Sequence, residues 1–430
     1  MSDDLLTKAR RYRWLIFWVL ALGYVLVYFH RLCPAVVAVD MMRDLEAGGV
    51  LVGLLGSAYF YPYAIMQLPA GLLSDSWGPR RTVTVFFLVA VVGSALLATA
   101  HSVGWAITGR VLVGFGVSML FVPTMKVLAE WFRPTEFATM TGILMAMGGL
   151  GSLAAATPLA AMAAWVGWRA SFGLVGVATL GLAVAVWLLV RDRPADLGWP
   201  SPAAAGDDPQ REAPPAIPLG AGVKRVVSDP WFWVLAVWFF FDCAVFFTFG
   251  GLWGGPYLMQ VYGMTRQQAG HVLSMLAVGM VVGSPAVSSA SNRVFRARKP
   301  VMVSCAALTL GITGVLALFT DTLPVPALYA VCLGLGIFSS AVVVVGFTMA
   351  KELFPVRMAG TATGLVNLFP FAGGAVFQPI LGSVLEHYGR VEGAFTVTGY
   401  RAAFTVLAGC ALVTLVASAF LKETLATSRA

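Results

Sequence analysis

Apolar stretches long enough to cross about 30 Å of hydrocarbon recur twelve times in this chain. They lie near residues 14–39, 49–74, 82–100, 104–128, 137–165, 168–190, 230–258, 267–289, 300–320, 325–350, 359–386 and 400–421. Backbone inside a bilayer must satisfy its own N–H and C=O groups, so each stretch is expected to be an α-helix. Composition points the same way. The chain is 59% hydrophobic and 11% charged, where a soluble domain carries about 25% charged residues. The five cysteines all fall in apolar segments and read as packing residues.

The basic residues sort onto alternate loops. One side holds Arg80, Arg81, Arg133, Arg191, Arg193, Arg293, Arg296, Arg298, Lys299, Arg357 and Lys422; the other holds Arg43, Arg169, Arg266, Arg390 and Arg401. The positive-inside rule then puts both termini in the cytoplasm. The +8 net charge is thus a membrane address rather than a nucleic-acid footprint. The expected setting is a plasma membrane, a bacterial inner membrane in particular. Lys8, Arg10, Arg11 and Arg13 precede an apolar run too long for a cleavable signal peptide.

A segment rich in proline, alanine and charge, RDRPADLGWPSPAAAGDDPQREAPPAIPLGAGVKRVVSDP, interrupts the spans. It reads as a flexible cytoplasmic linker, dividing the chain into 1–190, 191–228 and 229–430. The flanking parts repeat: EWFRPTEFATMTG from Glu130 and ELFPVRMAGTATG from Glu352 share Glu, any residue, Phe, eight residues, Thr-Gly. The expected architecture is all-α, with two pseudo-symmetric six-helix bundles. Parallel halves around a midplane site are what a rocking transporter requires.

GLLSDSWGPRR, joining the second and third spans, holds Gly71, Asp75, Gly78, Arg80 and Arg81 in the places of a loop signature of the major facilitator superfamily. The chain resembles that superfamily over essentially its whole length. GRVLVGFG, with Arg110, Gly114 and Gly116, matches the fourth-helix pattern, and MAMGGLGSLAAATP resembles the glycine-rich fifth. The resemblance implies a gating role for the loop residues, with Gly71 allowing close helix approach, Asp75 capping or pairing near a helix end, and the arginines holding the leaflet. Further marks resemble the anion:cation symporters and the organophosphate antiporters: YFHR, QLPAGLLSD, EWF and RDRPADLGWP. Departures are equally specific. His30 replaces an acid, and Ser291 and Asn292 stand where the second half should carry one. Gln67 replaces a phosphate-related lysine, which argues against a sugar phosphate. Val117 replaces a glutamate linked to proton coupling.

Helical spacing puts Tyr24, Tyr28 and Arg31 on one face of the first span, and Tyr59, Tyr63 and Gln67 on one face of the second. Asn367, Phe371 and Gln378 share a face of the eleventh. These stripes fit a polar cavity between the halves. Arg31 either snorkels outward or offers its planar fork to an anion. Arg110 either binds an anion or braces helices through backbone carbonyls. Asp242 is the only acid deep in a span, and is expected to carry a proton or to act as counter-ion to Arg31 or Arg110. His30 is a second titratable candidate for coupling, and Glu386 and His387 read as solvated edge residues.

No catalytic constellation, metal cluster or cofactor cradle is read; GGLWGGP lacks the lysine and strand of a phosphate loop. The expectation is a non-enzymatic secondary transporter, acting as a monomer in the bilayer. It would move a small carboxylate-like anion by alternating access, coupled to a proton, with sodium as the other ion considered. The alternatives are a proton-antiport exporter of amphipathic or cationic compounds and a non-transporting ligand sensor.

Overall fold

The computed structural model describes residues 2–202, 219–355 and 358–425. Twelve membrane spans are present. α1 is Ser2–Leu32 prolonged by Pro34–Asp44. α2 is Gly49–Ile65 followed, after a 56° bend, by Pro69–Ser76. α3 is Pro79–Ala98 and α4 is Val103–Trp131. A long apolar stretch, Thr139–Leu189, contains two spans, because Gly167 inside it has φ 82°. Residues 134–166 are therefore α5 and 168–189 are α6; a side chain at that φ would be strained, so glycine makes the turn without a loop. The second half runs α7 (Pro230–Val261), α8 (Arg266–Val294), α9 (Lys299–Leu318), α10 (Val325–Glu352), α11 (Gly360–His387) and α12 (Val397–Ala419).

Local chemistry sets the ends and bends. Ser102, Asp229 and Thr396 accept backbone N–H bonds at the starts of α4, α7 and α12, satisfying donors the helix leaves open. The bend in α2 lies just before Pro69, which has no N–H for the Ile65 carbonyl. π-helical turns interrupt α7 at Phe249–Trp253 and α10 at Gly336–Ala341.

The halves meet chiefly through α2 with α11, α5 with α8, and α1 with α7, and α1 also reaches α8. At one end of the bundle the halves are pressed together. A methyl added to Gly53 of α2 would stand 2.6 Å from the Gln378 carbonyl oxygen, and one on Gly49 would stand 2.8 Å from that of Gly382. Arg266 of α8 is ion-paired with Asp40 of α1, and Arg390 donates to the Ala47 carbonyl at 3.3 Å. At the opposite ends of these helices a methyl on Gly71 or Gly360 would meet nothing within 4 Å. The expectation that Gly71 permits close helix approach is therefore corrected: open space lies beside it, although the same end of α2 is tied to α4 through Asp75 and Lys126.

The linker also differs from expectation. Pro194–Leu197 forms a 3-10 turn and Leu219–Val227 an α-helix. Trp199 packs edge-on against Tyr12, which anchors the linker's start to α1. Its middle, residues 203–218, lies outside the described residues, as does Arg357.

Candidate functional site between the halves

Arg31 sits inside the protein, 4% exposed. α1 continues to Asp44, so the guanidinium lies well short of the outer surface and does not snorkel. Four rings surround its central carbon: Tyr28 at 4.3 Å, Phe371 at 4.9 Å, Tyr63 at 5.0 Å and Phe247 at 5.7 Å. Two come from each half. The rings touch one another across the seam, Phe371 lying 4.4 Å from Tyr63. Among the described residues no carboxylate pairs with Arg31, and its Nε is buried without a partner. Ring faces compensate a buried cation only in part. A planar fork held this way is suited to a carboxylate taken in two parallel hydrogen bonds.

The remaining expected contacts divide around this centre. Asn367 Nδ2 donates to Gln67 Oε1 at 3.0 Å, linking α11 to α2. Gln67 Nε2 donates in turn to the Tyr63 carbonyl at 3.0 Å, next to the bend of α2. Tyr24 reaches Met145 Sδ at 3.7 Å. Tyr59 donates to the Val27 carbonyl at 3.3 Å and stacks on Tyr63. These residues form the wall behind the ring cluster.

Two expected substrate contacts belong instead to the closely packed end of the bundle. Arg110 is fully buried and donates to the carbonyls of His30 at 2.7 Å, Leu55 at 3.4 Å and Gly56 at 3.4 Å. It braces α1, α2 and α4 through backbone, the second of the two readings open in the sequence. Gln378 donates to the Phe247 carbonyl at 2.9 Å, and its own carbonyl accepts from Trp253 Nε1 at 2.9 Å. Its side chain closes against Gly56. His30 turns away from Arg31 into the N-terminal half, with neither ring nitrogen partnered.

Asp242 of α7 is fully buried, and neither carboxylate oxygen has a partner. Ser339, on the π-helical turn of α10, donates to its backbone carbonyl at 3.1 Å. Neither Arg31 nor Arg110 forms an ion pair with it, so the counter-ion expectation is corrected. The carboxyl belongs to the interior of the C-terminal half.

The residues of the loop between α2 and α3 form a separate network. Asp75 pairs with Lys126 of α4 at 2.6 Å. Gly78, at φ 83°, turns the chain against the Asp192 carboxylate. Asp192 accepts the Arg80 backbone N–H at 2.7 Å, and Arg80 Nε donates to the Trp187 carbonyl at 2.7 Å. Arg81 is exposed. The second half repeats the device with different acids. Arg298 donates to Asn292 Oδ1 at 2.6 Å, Ser291 Oγ at 3.1 Å and both oxygens of Glu352. Glu423 accepts the backbone N–H of Arg298 and Lys299. The two neutral residues there keep the arginine in place, with Glu352 supplying the charge. Burial pushes the Asp192 carboxyl up. For Glu423 burial acts in the same direction, but the backbone N–H groups of Arg298, Lys299, Leu425 and Thr424 outweigh it and hold the group below the usual carboxylate range.

Several of these partners were not singled out in the sequence: Lys126, Asp192, Glu423 and the ring of Phe247. A signal for the acids exists, since Asp192 and Glu423 each follow the last helix of their half. Phe247 carries none, being one phenylalanine in the aromatic run WFFFDCAVFFTF.

Known proteins resemble this chain over most of its length. The Major Facilitator Superfamily pattern matches residues 20–255 and again 240–429. The hexuronate transporter of Bacillus subtilis is 24% identical over 90% of this chain and 92% of its own. The membrane sensor protein UhpC of Salmonella typhimurium is 25% identical over 90% and 88%. A bacterial homolog to the human lysosomal transporter Spinster, crystallised inward-facing and unoccupied, superposes with TM-score 0.73 at 18% identity, covering 97% of both chains. The chain belongs to the Major Facilitator Superfamily, beside the anion:cation symporters and organophosphate antiporters whose motifs it resembles, and is a multi-pass secondary transporter.

Proposed function

We propose that the protein moves a small carboxylate-bearing organic anion by alternating access, in symport with protons. The observation that carries this reading is Arg31, a buried guanidinium enclosed by rings from both halves and unpaired with any carboxylate among the described residues. Rocking of residues 1–190 against 229–430 would part the seam at the rings and expose the fork to one side, then the other. The relative named a hexuronate transporter supports an organic acid as cargo. A cationic cargo would be repelled by Arg31.

Asp242 is the group we assign to coupling. An unpartnered carboxyl in an apolar interior is tolerated as the neutral acid, so proton loss and gain there would require the opening of the C-terminal half. The assignment leaves His30 out, because its ring faces the N-terminal core. We place the protein in a bacterial inner membrane with both termini cytoplasmic, from the distribution of Arg and Lys. The test is counterflow in proteoliposomes. Wild type exchanges an internal carboxylate for external label, and Arg31→Gln does not. Binding without exchange by wild type would favour a sensor, the role named for one relative.

A further inference from the structure

We propose that the Arg31 site selects a monocarboxylate with a planar aromatic or otherwise apolar body over a polyhydroxylated sugar acid. This rests on the anion reading above and narrows it. Four aromatic rings pack around the guanidinium, and the hydroxyls of Tyr59 and Tyr63, both from the N-terminal half, lie against it. They divide by half: Arg31, Tyr28 and Tyr63 on one side of the seam, Phe247 and Phe371 on the other, the two phenylalanines nearly parallel at 18° with centroids 6.0 Å apart. When the halves part, the N-terminal side presents a cation and the C-terminal side presents two apolar ring faces. A ligand bridging them would place its carboxylate on the fork of Arg31 and its body on Phe247 and Phe371.

The polar side chains nearby point to the same class. A sugar acid needs donors and acceptors along its whole body, and a C-terminal face made of Phe247 and Phe371 discriminates against it, since tyrosine hydroxyls stand only on the Arg31 side. Here Tyr59 is hydrogen-bonded to the Val27 carbonyl, Gln67 and Asn367 to each other, and Gln378 to the Phe247 carbonyl. Among the described residues the other buried arginines of the N-terminal half are engaged, Arg110 on backbone carbonyls and Arg13 on Glu136, so a dianion would find one cation.

The experiment is isothermal titration of the purified full chain in nanodiscs with benzoate, cyclohexanecarboxylate and D-glucuronate. Benzoate and cyclohexanecarboxylate should bind at least tenfold more tightly than glucuronate. Phe371→Leu and Phe247→Leu, each checked for a monodisperse elution profile, should each weaken benzoate about fivefold through loss of a ring contact. Glucuronate binding as tightly as benzoate, or no loss of benzoate affinity in both variants, would overturn the selectivity. If that glucuronate binding also vanished in Arg31→Gln, the anion reading would stand while this inference fell. If none of the three acids bound in an Arg31-dependent way, both would fall.

Discussion

Replacing Arg31 probes recognition and folding in opposite directions, which makes it informative. In Arg31→Gln a bound carboxylate loses two charge-assisted hydrogen bonds, each worth about 1.5–3 kcal/mol. Allowing for partial replacement by the amide, the loss is about 3–5 kcal/mol, or roughly 150- to 4000-fold in affinity. Arg31→Lys keeps the charge but not the fork, so one bond's worth, about 1.5–2 kcal/mol or roughly 10- to 30-fold, should go. The ligand-free protein should behave differently. Arg31 is 4% exposed and unpaired with acid, and removing a charge buried without a counter-ion is not expected to cost stability. Its ring contacts return only about 0.5–2 kcal/mol each. Thermal unfolding of purified wild type and variants, with and without benzoate at 100 times its wild-type Kd, separates the effects. The ligand should stabilise wild type by about 2.7 kcal/mol and leave Arg31→Gln unmoved, while the ligand-free Arg31→Gln melts no lower than wild type. A ligand-free variant that melts far below wild type yet keeps its ligand-induced shift would refute the reasoning, since Arg31 would then be a structural brace.

Arg110→Gln should show the converse pattern. Breaking its bonds to three backbone carbonyls should cost about 2–4 kcal/mol, seen as a lower melting temperature, with the surviving folded fraction binding normally in titration. Asp75→Asn removes an exposed ion pair with Lys126, so melting should barely change, whereas uptake rate should fall with affinity retained; a large affinity loss would contradict a gating role. Glu423→Gln should alter the acid limb of stability. Because the folded-state carboxyl is held below its ordinary range, its contribution is present above the unfolded value and disappears as pH falls through the folded one. The melting difference between wild type and variant should therefore be large at pH 7 and shrink toward pH 3.

Much of the fold was legible because the bilayer imposes a length and a polarity on each span. Apolar runs located all twelve helices, and the duplicated Glu130 and Glu352 segments revealed the two halves. Helical spacing alone placed Tyr28, Arg31 and Tyr63 on surfaces that meet. What spacing could not decide was direction at fixed depth. Arg110 and Arg31 are both single arginines in apolar helices, and only the packing of α1, α2 and α4 shows that one grips carbonyls while the other meets rings. Gln378 shares a face with Phe371, yet the close approach of Gly56 and the Phe247 carbonyl turn it into the seal. Asp242 was recognisable as an isolated acid, but its distance from any arginine depends on which side of α7 meets α10, and the uniformly apolar run around it carries no periodicity to say so. The break between the fifth and sixth spans was legible at its place, around Gly167, but not its form: a glycine at positive φ reverses the chain there without a polar loop.

The most direct test of the account is uptake of labelled carboxylate into proteoliposomes across an imposed pH gradient, compared among wild type, Arg31→Gln and Asp242→Asn. Wild type should concentrate the label when the outside is acid. Arg31→Gln should take up none. Asp242→Asn, fixed in a form resembling the protonated acid, should exchange label down its own gradient but fail to concentrate it. Concentration by Asp242→Asn in response to pH, or accumulation by wild type that follows sodium and ignores pH, would contradict proton symport through Asp242; uptake undiminished in Arg31→Gln would contradict the anion site itself.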